Sequence, residues 1–185
     1  MLTLRTSLIP ALLIVGVLTR IFPHWPNFTA VGAIAIFGAA AYRNRWWAYL
    51  MPLAILLLSD LWINNVIYGA HYEGFQWFTP GFIFIYGGFL ATAILARKYV
   101  RNYRIGPILG MSLGSALIFF LLTNFGVWLS AGMYPLNLSG LLMAYAAGLP
   151  FLATMAAANV FYGALFFGAA YVFQPQMRLT PTSHS

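Results

Sequence analysis

Six stretches of near-continuous apolar sequence, each close to the length of a bilayer-crossing helix, dominate this chain and leave few other folds open to it. A hydrocarbon core of roughly 30 Å takes about 20 helical residues per crossing. The stretches lie near residues 6–22, 27–42, 47–67, 79–96, 105–129 and 149–173. The second is the shortest: about 16 residues at 1.5 Å each give only ~24 Å of helix. Of the 185 residues 62% are apolar and 6% charged, and the mean hydropathy is +0.84, too little polar surface for a soluble domain. The expectation is an all-α membrane protein, a six transmembrane helix bundle over residues 1–173 with a polar tail at 174–185.

The nine basic residues orient the bundle. Arg5, Arg43, Arg45, Arg97, Lys98, Arg101, Arg104 and Arg178 fall at one set of alternate helix ends, and Arg20 alone at the other. Basic residues collect on the cytoplasmic side, which puts both termini in the cytoplasm. The net charge of +7 is therefore a topology signal with attraction for anionic lipid, and no nucleic-acid partner is expected, since no basic run is dense enough to follow a phosphate backbone. No small-x-small cleavage site precedes "RIFPHW", so the first stretch is expected to be a retained helix. The absence of cysteine rules out disulfides, thiolate metal sites and thiol nucleophiles within the chain.

With this topology, most chemistry-bearing residues collect at the outer face. The first outer turn carries Arg20, His24, Trp25, Asn27 and Thr29; the second Asp60, Asn64, Asn65, His71, Tyr72, Glu73, Gln76 and Trp77; the third Thr123, Asn124, Trp128, Tyr134 and Asn137. Tryptophan and tyrosine favour the membrane interface in any case, so an aromatic belt explains Trp25, Trp77 and Tyr134 as well as a binding site does. Asp60 is different. It lies between "LLLS" and "LWI", where an unpaired charge is costly. Arg20 is the one basic side chain on that face, so the two are expected to pair, whether for packing or for function. Asn64 shares a helical face with Asp60, and Asn65 is rotated away. Asn159, deep in the last stretch, is expected to bond a neighbouring helix.

Gly106, Gly110 and Gly114 form a four-residue stripe, repeated by Ala35 and Ala39, Ala153 and Ala157, and Ala164 and Gly168. Such stripes allow close helix approach, within the chain by first expectation, or against a partner membrane subunit. Pro150 is expected to begin the last crossing and to leave 138–148 as a short outer helix.

Catalytic signatures are absent: there is no His-Glu-x-x-His, no Gly-x-Ser-x-Gly and no phosphate-cradling loop. The lone lysine, Lys98, sits at an inner turn. His24, Asp60, His71 and Glu73 are too scattered to spell out a metal site. What remains is an outward-facing pocket for a small-molecule substrate, with aromatic walls and a few orienting polar groups.

The motifs "FPHWPNFTAVGA", "LLLSDLW", "TNFGVWL" with "YP" six residues after Trp128, and "LPF" resemble those of small six-helix proteins of Gram-negative bacteria related to the S-components of energy-coupling-factor vitamin transporters, the BtuM-type cobalamin transporters above all. The resemblance runs from about residue 18 to 170. It implies an S-component bundle in the bacterial inner membrane, cobalamin held near the outer surface as substrate, no intrinsic cofactor, and an energising module docked on the small-residue faces. His24 and Asp60 match the family's outer-site histidine and acid. The cysteine that ligates cobalt in BtuM-type proteins is missing, and His71 is expected to take its place, since neutral imidazole is a competent cobalt ligand. Substrate contacts are expected from Arg20, His24, Trp25, Asn27, Asp60, Asn64, His71, Tyr72, Asn124, Trp128 and Tyr134, with no catalytic residue. Two other readings stay open: an enzyme using His24 and Asp60 on a lipid-linked substrate, and a structural or assembly subunit.

Overall fold

In the computed structural model, residues 8–100 and 104–177 are described, with side chains to 172. Arg5, Arg101, Arg178 and most of the polar tail lie outside them. Six helices follow one another: α1 (Ile9–Ile21), α2 (Val31–Ala41), α3 (Arg45–Trp62), α4 (Phe82–Tyr99), α5 (Ile105–Ser130) and α6 (Leu138–Met177). A π-helical turn, Ile63–Ile67, prolongs α3, and a short 3₁₀ turn, Gly69–His71, follows it. No strand occurs among the described residues. Four segments are long and apolar enough to cross a membrane: Arg45–Ile67, Phe82–Tyr99, Ile105–Ser130 and Leu138–Val172. α1 and α2, with 13 and 11 residues, reach only ~20 and ~16 Å.

Local chemistry sets several ends. Pro10 occupies the first turn of α1, where its missing N–H costs nothing. The Asn44 side-chain oxygen accepts from the Trp46 backbone N–H at 3.0 Å and caps α3. Gly81, at φ 77°, turns the chain into α4, which therefore starts at Phe82 and not at residue 79.

α2 is the core of the bundle. Ten of its 11 residues are buried, as befits a helix that is apolar all round. It packs against α3, α4 and α6, with Phe37 meeting Phe167 edge-on at 5.1 Å. Both ends of such a helix leave backbone groups without intrahelical partners, and neighbours supply them. At the start, Thr19 of α1 accepts from the Ala30 N–H at 3.1 Å while donating to the Gly16 carbonyl at 3.0 Å. At the end, the Arg97 guanidinium of α4 donates to the carbonyls of Ala39 (3.4 Å), Tyr42 (3.0 Å) and Arg43 (2.9 Å).

Elsewhere the helices touch through small residues and one amide. Gly16 lies under Ile55 of α3, Gly88 under Phe119 and Gly126 under Phe84. Asn159 does bond a neighbouring helix: its Nδ2 donates to the Ser112 carbonyl (3.1 Å) and the Ser115 hydroxyl (2.7 Å) of α5.

Two expectations are corrected. Pro150 does not begin a helix, because α6 runs unbroken from Leu138 through it. Proline forfeits one backbone bond there, but 138–149 is fastened along its length. Gly140 sits beneath the Pro135 carbonyl, Gly148 against the Asn124 side chain, and the Tyr145 hydroxyl donates to the Leu121 carbonyl at 3.0 Å. The second correction concerns the stripes. Nothing lies within 4 Å of where a side chain would start at Gly106, Gly110, Gly114 or Gly168, and Ala153, Ala157 and Ala164 are exposed. Only the Ala35 and Ala39 stripe is packed within the chain.

Candidate ligand cleft

The shortness of α1 and α2 makes the site. α1 runs beside α3 with an offset of 40 residues at Arg20 and Asp60. Beyond Asp60, α3 and its π turn climb about seven more residues, or ~10 Å, whereas α1 stops at Ile21. The chain crosses in residues 22–30 and descends as α2. The ends of these two helices that flank residues 22–30 are thus recessed between taller neighbours, and the recess is an open cleft of about 590 Å³. One edge is Arg20, Ile21, Phe22, Pro23, His24, Pro26, Asn27 and Thr29; the facing walls are Ile63, Ile67 and Tyr68 of the π turn and its end, Ile85 and Phe89 of α4, and Phe119 of α5.

At the base of the polar edge, Arg20 Nη2 donates to Asp60 Oδ1 at 2.7 Å. The Tyr86 hydroxyl of α4 donates to the other carboxylate oxygen at 3.0 Å. Asp60 is only 1% exposed and Arg20 18%, so the carboxylate is spent on its two partners and the guanidinium is the half of the pair that meets the cleft. The pairing expected from the sequence is present. The role of Tyr86 was not anticipated. A buried tyrosine hydroxyl needs a partner, so a lone tyrosine in "FIFIYGGF" was a signal that pointed to one.

Above the pair, His24 Nδ1 lies 2.7 Å from the Trp25 carbonyl. A carbonyl can only accept, so Nδ1 carries a proton in this contact and Nε2 is the ring nitrogen left to face a ligand. Asn27, at φ 62°, holds the left-handed turn that asparagine tolerates better than most residues.

The remaining expected contacts divide. Asn64 is buried (2% exposed); its Oδ1 accepts from the Thr79 hydroxyl at 3.3 Å, and its Nδ2 has no partner. Asn65 clamps the loop that follows: Nδ2 donates to the Leu61 and Gln76 carbonyls (2.9 and 2.8 Å), and Oδ1 accepts from the Gln76 N–H (2.8 Å). Trp25 is 75% exposed and meets Phe28 edge-on, outside the cleft lining. His71 is exposed and stacks edge-on to Tyr68 at 6.0 Å, so it adjoins a lining residue without lining the cleft itself. Tyr72 and Tyr134 are half-buried and also outside it. Asn124 donates to the Phe120 carbonyl of its own helix at 2.9 Å, and Trp128 Nε1 donates to the Pro135 carbonyl at 2.9 Å, fastening the α5–α6 turn. Among the described residues no three His, Cys, Asp or Glu side chains gather closely enough to hold a metal ion.

The cleft walls that sequence reading missed, Ile63, Ile67, Ile85, Phe89 and Phe119, are ordinary apolar residues. Only the register of the helices selects them. Chemically the site offers the Arg20 guanidinium, the His24 ring, the Asn27 amide and the Thr29 hydroxyl along one edge, the Tyr68 hydroxyl at the end of an otherwise apolar facing wall, and no carboxylate in its lining.

A family model described as "Family of unknown function (DUF6580)" matches residues 2–182. No curated protein and no solved structure matches the chain.

Proposed function

The chain belongs to the family of unknown function DUF6580, and we propose that it is a membrane uptake protein that receives a small molecule in its outward-facing cleft. The observation that carries this reading is the recess above α2, whose 590 Å³ falls in the range of pockets for drug-sized ligands and whose polar groups, the Tyr68 hydroxyl apart, lie on one edge. In this reading α1 and α2 are the first two of six crossings, shortened at their outer ends, both termini are cytoplasmic, and the protein sits in a bacterial inner membrane.

The resemblance to S-components makes a vitamin the substrate, with cobalamin or a related corrinoid the first to test. A complete corrinoid is bulkier than the cleft, so its entry requires residues 22–30 or 69–81 to swing outward. The second loop has glycines at positive φ, Gly74 (88°) and Gly81 (77°). Coordination of cobalt by His71 requires the same loop to fold toward the cleft. With no nucleotide-binding motif in the sequence, energy would come from a separate module, and the outward stripe Gly106, Gly110 and Gly114 is the surface for it to dock on. The enzymatic alternative, with Asp60 orienting His24 as base, draws no support from the geometry, since the two groups have different partners.

The test is absorbance and mass spectrometry of gently purified protein, then titration with cobalamin and cobinamide of the wild type, His24→Ala and His71→Ala. Saturable binding of unaltered corrinoid, weakened in His24→Ala, is the expected result. No corrinoid binding would end the corrinoid assignment, and release of a chemically altered compound would favour the enzyme.

A further inference from the structure

The cleft is two-ended. Every polar group lining it, save the Tyr68 hydroxyl at the end of the π turn, comes from the 20–29 stretch, and the facing walls are isoleucine and phenylalanine. A ligand that fills it has an apolar body and one polar end directed at Arg20.

The charge of that end follows from what the cleft lacks. No carboxylate lines it. Asp60 has one oxygen taken by Arg20 and the other by Tyr86, and Glu73 is an exposed residue of the 69–81 loop. A cationic ligand would therefore meet a guanidinium and find no counter-charge. Arg20, for its part, bonds Asp60 through one nitrogen, and its other N–H groups have no acceptor among the described residues. A guanidinium has five donors in a planar fork suited to carboxylate or phosphate. An anion on the cleft side of that fork lies nearer to Arg20 than to the carboxylate behind it, so attraction exceeds repulsion. Charge-assisted bonds of this kind are roughly twice as strong as neutral ones, which favours an anion over a carbonyl or hydroxyl.

We propose that Arg20 is the anion-recognition residue of the cleft, and that the ligand is an amphipathic anion: an apolar body ending in one carboxylate or phosphate-ester group. This rests on the reading of the cleft as the ligand site and departs from the corrinoid assignment, since a corrinoid, with its several polar amide arms, is not an apolar body with a single anionic end. Arg20 then serves two neighbours at once, fixing α1 to α3 through Asp60 and presenting its free edge to the ligand.

The experiment uses the full chain in lipid nanodiscs and three fluorescent probes that share an apolar body: 1-pyrenebutyrate, 1-pyrenebutanol and 1-pyrenebutylamine. Wild-type protein is expected to bind the acid at least about tenfold more tightly than the alcohol, and the amine most weakly. The preference should vanish in Arg20→Gln and survive in Arg20→Lys. Competition with decanoate and with octyl phosphate then tells which anionic group is favoured. Equal binding of acid and alcohol by the wild type, or an undiminished preference in Arg20→Gln, would overturn the inference while leaving the cleft as a ligand site. If no probe shows saturable binding above empty nanodiscs, the cleft reading fails and this inference with it. The wild-type comparison needs no variant to fold.

Discussion

The contact that organises the cleft half of the molecule is the one between Arg20 and Asp60, and its energetics are set by burial. Removing either partner strands the other in a poorly solvated place, at a cost of about 3 kcal/mol, whereas removing both leaves no orphan charge. A double-mutant cycle on Arg20→Ala and Asp60→Ala, read by denaturation in detergent, should thus show the double change costing well under the sum of the singles. Strict additivity would mean that the 2.7 Å contact carries no coupling. Tyr86→Phe should be milder, about 1.5 kcal/mol for one bond to a charged group. The pair was legible in the sequence because the outer face has a single cation and because Asp60 sits inside an apolar run. Asn64 was less so: its place on the Asp60 face was read correctly, but its partner Thr79 lies across a loop whose path no local pattern encodes.

Among the elements, α2 shows where pattern reading stops. Its apolar character was plain, yet a length near 16 residues was expected and 11 are helical, because Pro23, Pro26 and the left-handed Asn27 hold 22–30 as a loop. That lost turn is what opens the cleft. Pro150 erred the other way, its helix-starting preference being outweighed by packing of Gly148 and Tyr145 on α5 and of Gly140 on the Pro135 turn. Glycines separate into two kinds that sequence spacing alone could not sort. A methyl group on Gly32 would collide with the buried Asn159 amide, while Gly110 faces open space. Gly32→Ala should therefore destabilise by about 1–3 kcal/mol through overpacking, and Gly110→Ala should be neutral or stabilise by up to about 1 kcal/mol from helix propensity. Thermal denaturation of the two variants side by side checks this; equal effects would mean that α2 is not wedged against α6.

At the scale of the whole molecule, the contacts sort the helix ends into two poles, and most of the basic residues described gather at one of them. Arg97 reaches the carbonyls of Ala39, Tyr42 and Arg43, which brings the end of α2, the approach to α3 and the end of α4 to one pole, together with Arg45 and Lys98. Arg20, His24 and the cleft lie toward the other. The proposed topology puts this basic pole in the cytoplasm, and α1 running parallel to α3 at the Arg20–Asp60 offset carries the start of α1 toward that same pole. The native chain has no cysteine, so a single introduced thiol reports its own location without background. His71→Cys, on an exposed loop position of the cleft side, should react with a membrane-impermeant maleimide in intact spheroplasts. Lys98→Cys, exposed at the basic pole, should react only after permeabilisation. The reverse pattern would invert the protein in the membrane and turn the cleft toward the cytoplasm, and with it an uptake role would become one of export or of internal sensing. Labelling of both thiols from outside would mean that the segment between them, α4 included, fails to cross at all. That would contradict the depth argument from which the cleft is built, because the recess above α2 is a vestibule only if α3 and α4 reach the outer surface beside it.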